Sequence, residues 1–265
     1  MKIAPLLSVE NLNIAFASDG EWYSVIPNIS YRIPPNEIVG IVGESGSGKS
    51  VSSLSIMGLL PAKISKIIAG EIIFDNQNIA DFTAKEWQNF RGNQVAMIFQ
   101  EPMSSLNPSS KCGVQVQEIL LQHTKLSKSE SKKRTIELFE QVKLPDPAQL
   151  FDKYPHQISG GQKQRVMIAM AIACKPKLLI ADEPTTALDV TVQKEILLLL
   201  KELQQETKMS ILFISHDLSL VSQIADKVIV MYKGSIVEQG NVKELFANPQ
   251  HQYTKALLSA RPSLD

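Results

Sequence analysis

The sequence predicts an α/β fold with a parallel sheet at its centre, because short apolar runs alternate with helical stretches along the chain. Each run is four or five residues long and ends at a polar or glycine-rich junction. Parallel strands of an α/β sheet present ligand-binding groups at such junctions. The runs predicted as buried strands are Ile38–Val42, Val95–Phe99, Leu178–Ala181 and Ile211–Ile214.

Other segments predict a small antiparallel sheet, a hairpin and a long helix. Leu7–Phe16 alternates in polarity, as a strand of a small antiparallel sheet does. Val228–Tyr232 and Ser235–Glu238 flank Lys233-Gly234, which predicts a hairpin. Glu195–Glu206 carries a broad leucine face, which favours a helix packed against the core.

The middle of the chain, Glu101–Gln157, is predicted to be a helical subdomain inserted into this core, because prolines punctuate it and its periodic segments are helical. Ser127 and Glu130 have the spacing of a capping box that opens a helix. We therefore interpret the basic run Lys125–Arg134 as a solvated helix face, in preference to an interaction patch.

The composition is that of an ordinary globular protein, with 44% hydrophobic and 20% charged residues among 265. Lysine plus arginine and aspartate plus glutamate each total 27, so the basic excess usual in nucleic-acid binders is absent and no nucleic-acid partner is predicted.

No window offers the ~18 uncharged apolar residues of a membrane span, and the N-terminus lacks a signal-peptide pattern. Cys112 and Cys174 have no CxxC spacing, which favours free thiols in a reducing, cytoplasmic compartment.

A glycine-rich segment lies between the strand Ile38–Val42 and an apolar helical stretch. It matches the phosphate-loop pattern G-x-x-x-x-G-K-[ST] in the strand–loop–helix setting that the pattern requires. Glycines let backbone N–H groups surround phosphate oxygens, and the helix N-terminus adds a partial positive charge. The lysine is predicted to bridge the outer phosphates, and the last serine to ligate Mg²⁺ through its hydroxyl. The segment is Gly43-Glu44-Ser45-Gly46-Ser47-Gly48-Lys49-Ser50.

Polar residues that end the other predicted strands suit the chemistry of phosphate hydrolysis. Asp182 suits Mg²⁺, through a water molecule, and Glu183 is placed to polarise the attacking water beside the terminal phosphate. His216 is predicted to contact that phosphate and hold the water, although a histidine at a strand end is usually structural or simply exposed. Gln100 is predicted to reach Mg²⁺ or water, with an ordinary surface position as the alternative.

Tyr23 lies about 20 residues before the phosphate loop, where its ring is predicted to stack on an adenine face. Core packing is the competing interpretation, and Trp22 is a rival for the same role.

A second glycine turn predicts that each nucleotide is shared between two copies of the chain. Ser159 heads a predicted helix and is followed by Gly160, Gly161 and Gln162, so the turn offers a second anion site that the phosphate loop does not need. Two phosphate-facing surfaces in one chain favour a machine driven by dimer closure over a simple kinase or GTPase.

Taken together, these motifs resemble the ATPase subunit of an ATP-binding cassette (ABC) transporter, over essentially the whole chain. The resemblance rests on the phosphate loop, Gln100, the signature segment Ile158–Lys163, Asp182-Glu183, the D-loop Thr186–Asp189 and the switch histidine His216. It implies a P-loop NTPase (RecA-like) α/β core, an antiparallel β subdomain and an inserted α-helical subdomain. Within a single domain of residues 1–265, the core and β subdomain are expected at about 1–100 and 166–240. The helical subdomain with the signature is expected at about 101–165, and a tail at about 241–265.

The resemblance also implies ATP and Mg²⁺ as cofactors, with the metal held by Ser50, Gln100 and Asp182. Two ATP molecules would be sandwiched between two domains, each taking Lys49 and Glu183 from one copy. The other copy would supply Ser159, Gly160, Gly161 and Gln162 of its signature. Asp189 is the implied site residue of the D-loop. The implied partners are a second ATPase domain, membrane permease subunits and, indirectly, a solute-binding protein, which places the chain at the cytoplasmic face of a bacterial membrane.

A narrower resemblance is to the ATPases of dipeptide, oligopeptide and nickel importers. It is carried by Met97–Pro108, Tyr154–Gln157, Asp182–Gln193 and the tail His251–Leu258, in which Gln252 stands where a proline is usual. The expected function is ATP hydrolysis coupled to import of peptides or of a metal chelate. An exporter ATPase and a soluble cassette ATPase acting on nucleic acid or ribosomes are the alternatives.

The chain departs from the usual pattern at two further positions. Ile158 opens the signature where leucine is usual, which is a conservative change. Asn36 stands in a Pro-x-Glu turn where glycine is usual, and asparagine tolerates the positive φ that such a turn needs. The cysteine-rich segment by which some relatives bind an iron–sulfur cluster is absent, so no cluster is implied. The stop soon after Leu258 also fits one half of a tandem double ATPase.

Overall fold

The structure, a computed structural model, describes residues 4–100, 105–186 and 188–259. Its strands are β1 Leu7–Ser18, β2 Glu21–Ile33, β3 Ile38–Val42, β4 Ser65–Phe74, β5 Gln77–Asn78, β6 Val95–Ile98, β7 Leu178–Asp182, β8 Ser210–Ser215, β9 Lys227–Tyr232 and β10 Ser235–Asn241. Its described helices are α1 Lys49–Ile56, α2 Ala84–Phe90, α3 Cys112–His123, α4 Lys128–Gln141, α5 Pro147–Leu150, α6 Gly160–Ile172, α7 Val190–Thr207, α8 Leu218–Ile224, α9 Val242–Ala247 and α10 Gln252–Ser259. The part of the predicted motifs at residues 101–104, Ala187 of the D-loop and the last six residues of the predicted tail lie outside the described residues.

The chain divides into two compact units. The first contains Met1–Trp87 and Ser210–Asp265, and the second contains Gln88–Met209. The predicted helical subdomain at about 101–165 falls within the second unit, together with β6, β7 and α7. The subdomain boundaries given above stay a prediction.

The first unit is built on one run of hydrogen-bonded strands in the order β5-β4-β1-β2-β10-β9-β3-β8. Strands β1, β2, β4 and β5 pair antiparallel, whereas β3 pairs parallel with both β8 and β9. In the β3–β8 register Ile38 lies opposite Ile211, and Val42 lies opposite Ser215. The carboxyl ends of β3 and β8 therefore meet at one edge of this sheet.

The second unit pairs β6 and β7 in parallel, with Val95 opposite Leu178 and Ile98 opposite Ala181. All five residues of β7 are buried, as expected for a strand covered on both faces. The helices α3, α4 and α6 contribute buried apolar side chains, among them Val116, Leu138 and Val166.

The structure confirms the predicted strands and hairpin with small shifts of their ends. Strand β3 has the predicted bounds, and the hairpin of β9 and β10 turns at Lys233-Gly234. The capping box of Ser127 and Glu130 opens α4, and Asn36 has a φ of 61°.

Two of the boundaries that differ from the prediction have an identifiable cause. The strand predicted as Val95–Phe99 ends at Ile98, and the Phe99 side chain is 42% exposed, so it does not continue the buried run. The helix predicted from Glu195 begins at Val190, because the Asp189 carboxylate accepts a hydrogen bond from the Val192 N–H and caps an earlier first turn.

Gly40, in the middle of β3, packs against α8 so closely that the fold depends on its missing side chain. A Cβ placed there would lie 2.3 Å from Cγ1 of the fully buried Val221. We expect Gly40→Ala to lower the free energy of unfolding by about 1–3 kcal/mol, the usual cost of overpacking a core. The matched control is Gly240→Ala in β10, where a Cβ meets no atom within 4 Å. Urea denaturation of both variants measures the effect, and equal stabilities would contradict this account of the packing.

Candidate functional site

The phosphate loop of the first unit has the conformation that its glycines predict. It follows β3, and α1 begins at Lys49. Gly46 and Gly48 have φ angles of 79° and 99°, in the left-handed region that side chains disfavour. A Cβ placed on Gly46 would meet no atom within 4 Å, so the space beside this part of the loop is open to a ligand.

The buried side chains of this loop fit a phosphate ligand. The Lys49 ammonium group, which is only 5% exposed as a residue, donates hydrogen bonds to the carbonyl oxygens of Gly43 at 2.7 Å and Glu44 at 2.9 Å. The Ser47 hydroxyl is buried and has no hydrogen-bond partner among the described residues. A buried cation, a spare hydroxyl and the N-terminus of α1 are together the chemistry of an anion site.

Two hydrogen bonds that sequence reasoning missed join the backbone of the phosphate loop to later parts of the chain. The Gly234 N–H, in the turn between β9 and β10, donates to the Ser47 carbonyl at 3.1 Å. The Glu44 N–H donates to the Tyr253 hydroxyl at 2.9 Å. Both partners come from the end of the chain, so no local sequence signal could have found them.

His216 and Tyr23, also in the first unit, are both exposed. His216 immediately follows β8, at the sheet edge where β3 delivers the phosphate loop. Tyr23 is 51% exposed on β2, and its hydroxyl donates to a Glu21 carboxylate oxygen at 3.3 Å. The neighbouring Trp22 has the Lys66 ammonium 4.0 Å from its ring centroid. Trp22 is 44% exposed, slightly less than Tyr23, so core packing takes up neither ring.

In the second unit the end of β7 brings three predicted polar residues close together. Asp182 is buried as the last residue of the strand, and Glu183 follows with a φ of 46°. The Gln100 amide and the Thr186 hydroxyl each donate to the Glu183 carboxylate at 3.0 Å. A non-glycine residue at positive φ is strained, and such strain is commonly found where function requires a fixed side chain.

The signature turn, also in the second unit, forms a capping box. The Ser159 hydroxyl accepts a hydrogen bond from the Gln162 N–H, and the Gln162 side chain accepts one from the Ser159 N–H. This capping begins α6 at Gly160, as the sequence predicts for a serine at the head of a helix. A Cβ on Gly161 would lie 2.9 Å from Val192 Cγ1, so this glycine is needed for close packing against the start of α7.

The donors predicted for Mg²⁺ are oxygen atoms, as this metal prefers. Ser50 offers a hydroxyl in α1, whereas Asp182 and Gln100 offer a carboxylate and an amide in the second unit. The described residues contain no cluster of three or more His, Cys, Asp or Glu side chains arranged to hold a metal. Few protein ligands suit Mg²⁺, because it commonly completes its coordination with substrate phosphates and water. The residue set therefore fits a metal that arrives with a nucleotide.

Comparison with known proteins identifies the family. Residues 26–186 match the family described as ABC transporter. The chain belongs to this family. It is an ATP-binding, ATP-hydrolysing ABC transporter subunit, as its motifs predicted. None of the helices in the described parts of this ABC protein has the length and apolar character needed to cross a membrane.

Relatives of this ABC protein match it along nearly its whole length. The oligopeptide transport ATP-binding protein OppD of Bacillus subtilis is 49% identical over 265 residues, which are all of this chain and 74% of that protein. The dipeptide transport ATP-binding protein DppD of Escherichia coli is 52% identical over 257 residues, which are 97% of this chain and 78% of that protein.

Solved structures of ABC proteins confirm the P-loop NTPase fold. A dimeric ATP-binding cassette in a post-hydrolysis state, bound to ADP and Pi, has a TM-score of 0.79 at 28% identity and covers 89% of this chain and 98% of its own. The protein cbiO1 from Clostridium perfringens, part of an ABC transporter complex, has a TM-score of 0.79 at 33% identity and covers 92% of this chain and 91% of its own.

Proposed function

We propose that this ABC subunit hydrolyses ATP to power the import of peptides, or of a related small solute such as a nickel chelate, through a membrane permease. The observation that carries the proposal is the similarity, over the whole chain, to a protein named for oligopeptide transport. The subunit then works at the cytoplasmic face of a bacterial membrane. A solute-binding protein delivers the solute to the permease from the other side.

In this function the phosphate loop holds the nucleotide. Lys49 turns its ammonium group from the loop carbonyl oxygens to the outer phosphates, and backbone N–H groups within residues 43–50, other than that of Glu44, donate to the phosphate oxygens. The open ring of Tyr23 stacks on the adenine. Ser50, Asp182 and Gln100 would hold Mg²⁺, which would supply positive charge to neutralise the phosphates.

Glu183 acts as the base that polarises the attacking water. Its carboxylate is held by the Gln100 amide and the Thr186 hydroxyl, which fix the direction in which its remaining lone pairs point. His216 contacts the terminal phosphate and keeps the water in line with it. Gln100, which contacts both the base and the metal in this proposal, is suited to report the state of the nucleotide to the permease.

The working unit is a dimer in which the signature turn completes the site of the other copy. Ser159 and Gly160 are both exposed at the N-terminus of α6, where a phosphate of the other copy's ATP can approach the helix dipole. Gln162 and the D-loop residue Asp189 line the same approach. ATP draws two copies together because its charge is satisfied only when both faces engage, and loss of the γ-phosphate releases them.

The proposal is tested by identifying the partners and then the solute. Tagged chain with bound ATP, recovered from detergent-solubilised membranes of its own host, is expected to bring down two multi-span proteins. In proteoliposomes containing these proteins, ATP hydrolysis is expected to rise when the solute-binding protein is added with a peptide mixture. A matched addition with a nickel chelate separates the two solute classes. Recovery of ribosomal components alone would contradict import. So would an ATP hydrolysis rate that rises only when the solute is added on the side of the membrane that carries the ATPase.

A further inference from the structure

The C-terminal helix α10 places an aromatic hydroxyl against the phosphate loop. The Tyr253 hydroxyl accepts a 2.9 Å hydrogen bond from the backbone N–H of Glu44, which lies 209 positions earlier in the chain. Glu44 is the second residue of the loop, and its own side chain is exposed. The contact therefore acts on the loop's backbone and does not depend on the glutamate side chain.

With this contact, the peptide groups of Glu44 are held on both sides. Its carbonyl oxygen accepts hydrogen bonds from the Lys49 ammonium at 2.9 Å and from the Ser47 N–H at 3.1 Å. Its N–H is held by Tyr253. The residue that turns the chain away from β3 is thus fixed by the loop's own lysine and by the tail.

Tyr253 itself is held firmly in place. Its ring packs against that of Tyr232, with 4.2 Å between the centroids and 33° between the planes. Burial, more than any other cause, raises the pKa of Tyr253 above its ordinary value, so the hydroxyl remains neutral at physiological pH.

The segment that leads into α10 is anchored to β10. The Glu238 carboxylate accepts hydrogen bonds from the backbone N–H groups of Gln250 at 2.8 Å and His251 at 3.1 Å. Burial alone would raise the pKa of Glu238, but the hydrogen bond from Gln250 and others from the same segment lower it. The carboxylate is therefore charged at neutral pH and fixes the start of the helix that carries Tyr253.

We propose that Tyr253 is a positioning residue for the phosphate loop, whose hydroxyl holds the Glu44 peptide so that the loop is preorganised for ATP. This inference rests on the proposed function, because it assumes that residues 43–50 bind the nucleotide phosphates. A preorganised loop spends less binding energy on its own ordering, so the contact strengthens ATP binding without touching the reacting atoms. We therefore expect the contact to lower Kd and KM for ATP and to leave kcat unchanged.

The Tyr253→Phe variant tests the hydroxyl alone, since it keeps the ring pair with Tyr232. A single net hydrogen bond is worth a few-fold in an equilibrium, so Kd and KM for ATP are expected to rise by about three- to tenfold. The matched control is Tyr232→Phe, which removes the other hydroxyl of the same pair. That hydroxyl makes no hydrogen bond to any described residue, so Kd is expected to stay within about twofold. Calorimetry on the full chain gives Kd, steady-state kinetics gives KM and kcat, and thermal unfolding checks that both variants are folded.

A third variant tests the hydrogen bonds by which Glu238 holds the segment before α10. Glu238→Gln weakens the acceptor for the Gln250 and His251 N–H groups and leaves both tyrosines in place. It is expected to raise Kd in the same direction as Tyr253→Phe but by less, and it provides the readout if Tyr253→Phe fails to fold.

The outcomes separate this inference from the proposed function. Equal Kd values for wild type and Tyr253→Phe, with normal ATP binding, would overturn the positioning role and leave the ATPase intact. Equal losses in both tyrosine variants would assign the effect to the ring pair and would also overturn it. A fall in kcat with unchanged KM would place Tyr253 in the chemical step, again contrary to the inference. Failure of the wild type to bind ATP would instead contradict the proposed function itself.

Discussion

Replacing Glu183 by glutamine is expected to reduce ATP turnover by about 10²- to 10⁴-fold while leaving ATP binding near its wild-type strength. Removing a general base costs an enzyme about that much, because the water is no longer polarised as it attacks. The glutamine carbonyl can still accept from the Gln100 amide and the Thr186 hydroxyl, whose 3.0 Å bonds hold the present carboxylate. The local geometry should therefore survive the loss of charge and basicity.

With hydrolysis blocked, the γ-phosphate stays in place, and the Glu183→Gln variant should accumulate as an ATP-bound dimer. Light scattering after size exclusion, with and without ATP, measures this directly, and phosphate release measures turnover. The matched control is Glu140→Gln, which changes an exposed glutamate on α4 in the same chemical way. Hydrolysis by Glu183→Gln at the rate of this control would show that another group activates the water.

The strands were predictable from sequence because their apolar runs are short, continuous and bounded by turn residues. Strand β3 was predicted to the residue, since Asn36 and Gly43 delimit it. Strands β2 and β4 were not predicted, because much of each faces solvent and neither contains a run of four or more apolar residues. Their pairing with β1 depends on residues far away in the chain, such as Leu7 opposite Phe74.

In the candidate site, too, features set by neighbouring residues were predictable and contacts between distant residues were not. Ser159 as a helix cap follows from its immediate neighbours and was predicted. The hydrogen bond from Gln100 to Glu183 joins residues 83 positions apart, and that between Glu44 and Tyr253 joins residues 209 positions apart. No periodicity or motif encodes such a contact, because it exists only once the sheet and the tail have assembled.

Replacing Lys49 by alanine is expected to weaken ATP binding by at least about 100-fold. A hydrogen bond to a charged group is worth about 1.5–3 kcal/mol, and the lysine is predicted to make more than one to the outer phosphates. The ammonium group is already enclosed by the loop, within 2.7 Å of the Gly43 carbonyl oxygen and 2.9 Å of that of Glu44. Lys49 is the one basic residue in residues 43–50, so no other side chain of the loop can replace its charge.

The control must distinguish loss of the contact between Lys49 and the phosphates from loss of the folded conformation of the loop. Lys201→Ala removes an exposed lysine on α7 and should leave the affinity for ATP unchanged. In Lys49→Ala the carbonyl oxygens of Gly43 and Glu44 lose a donor, so thermal unfolding must accompany the calorimetry to show that the variant is folded. A folded Lys49→Ala protein that bound ATP as tightly as the Lys201→Ala control would mean that residues 43–50 do not hold the phosphates. Glu183 is unchanged in Lys49→Ala. If Lys49→Ala loses ATP binding and Glu183→Gln loses turnover but not binding, then binding and chemistry depend on different residues.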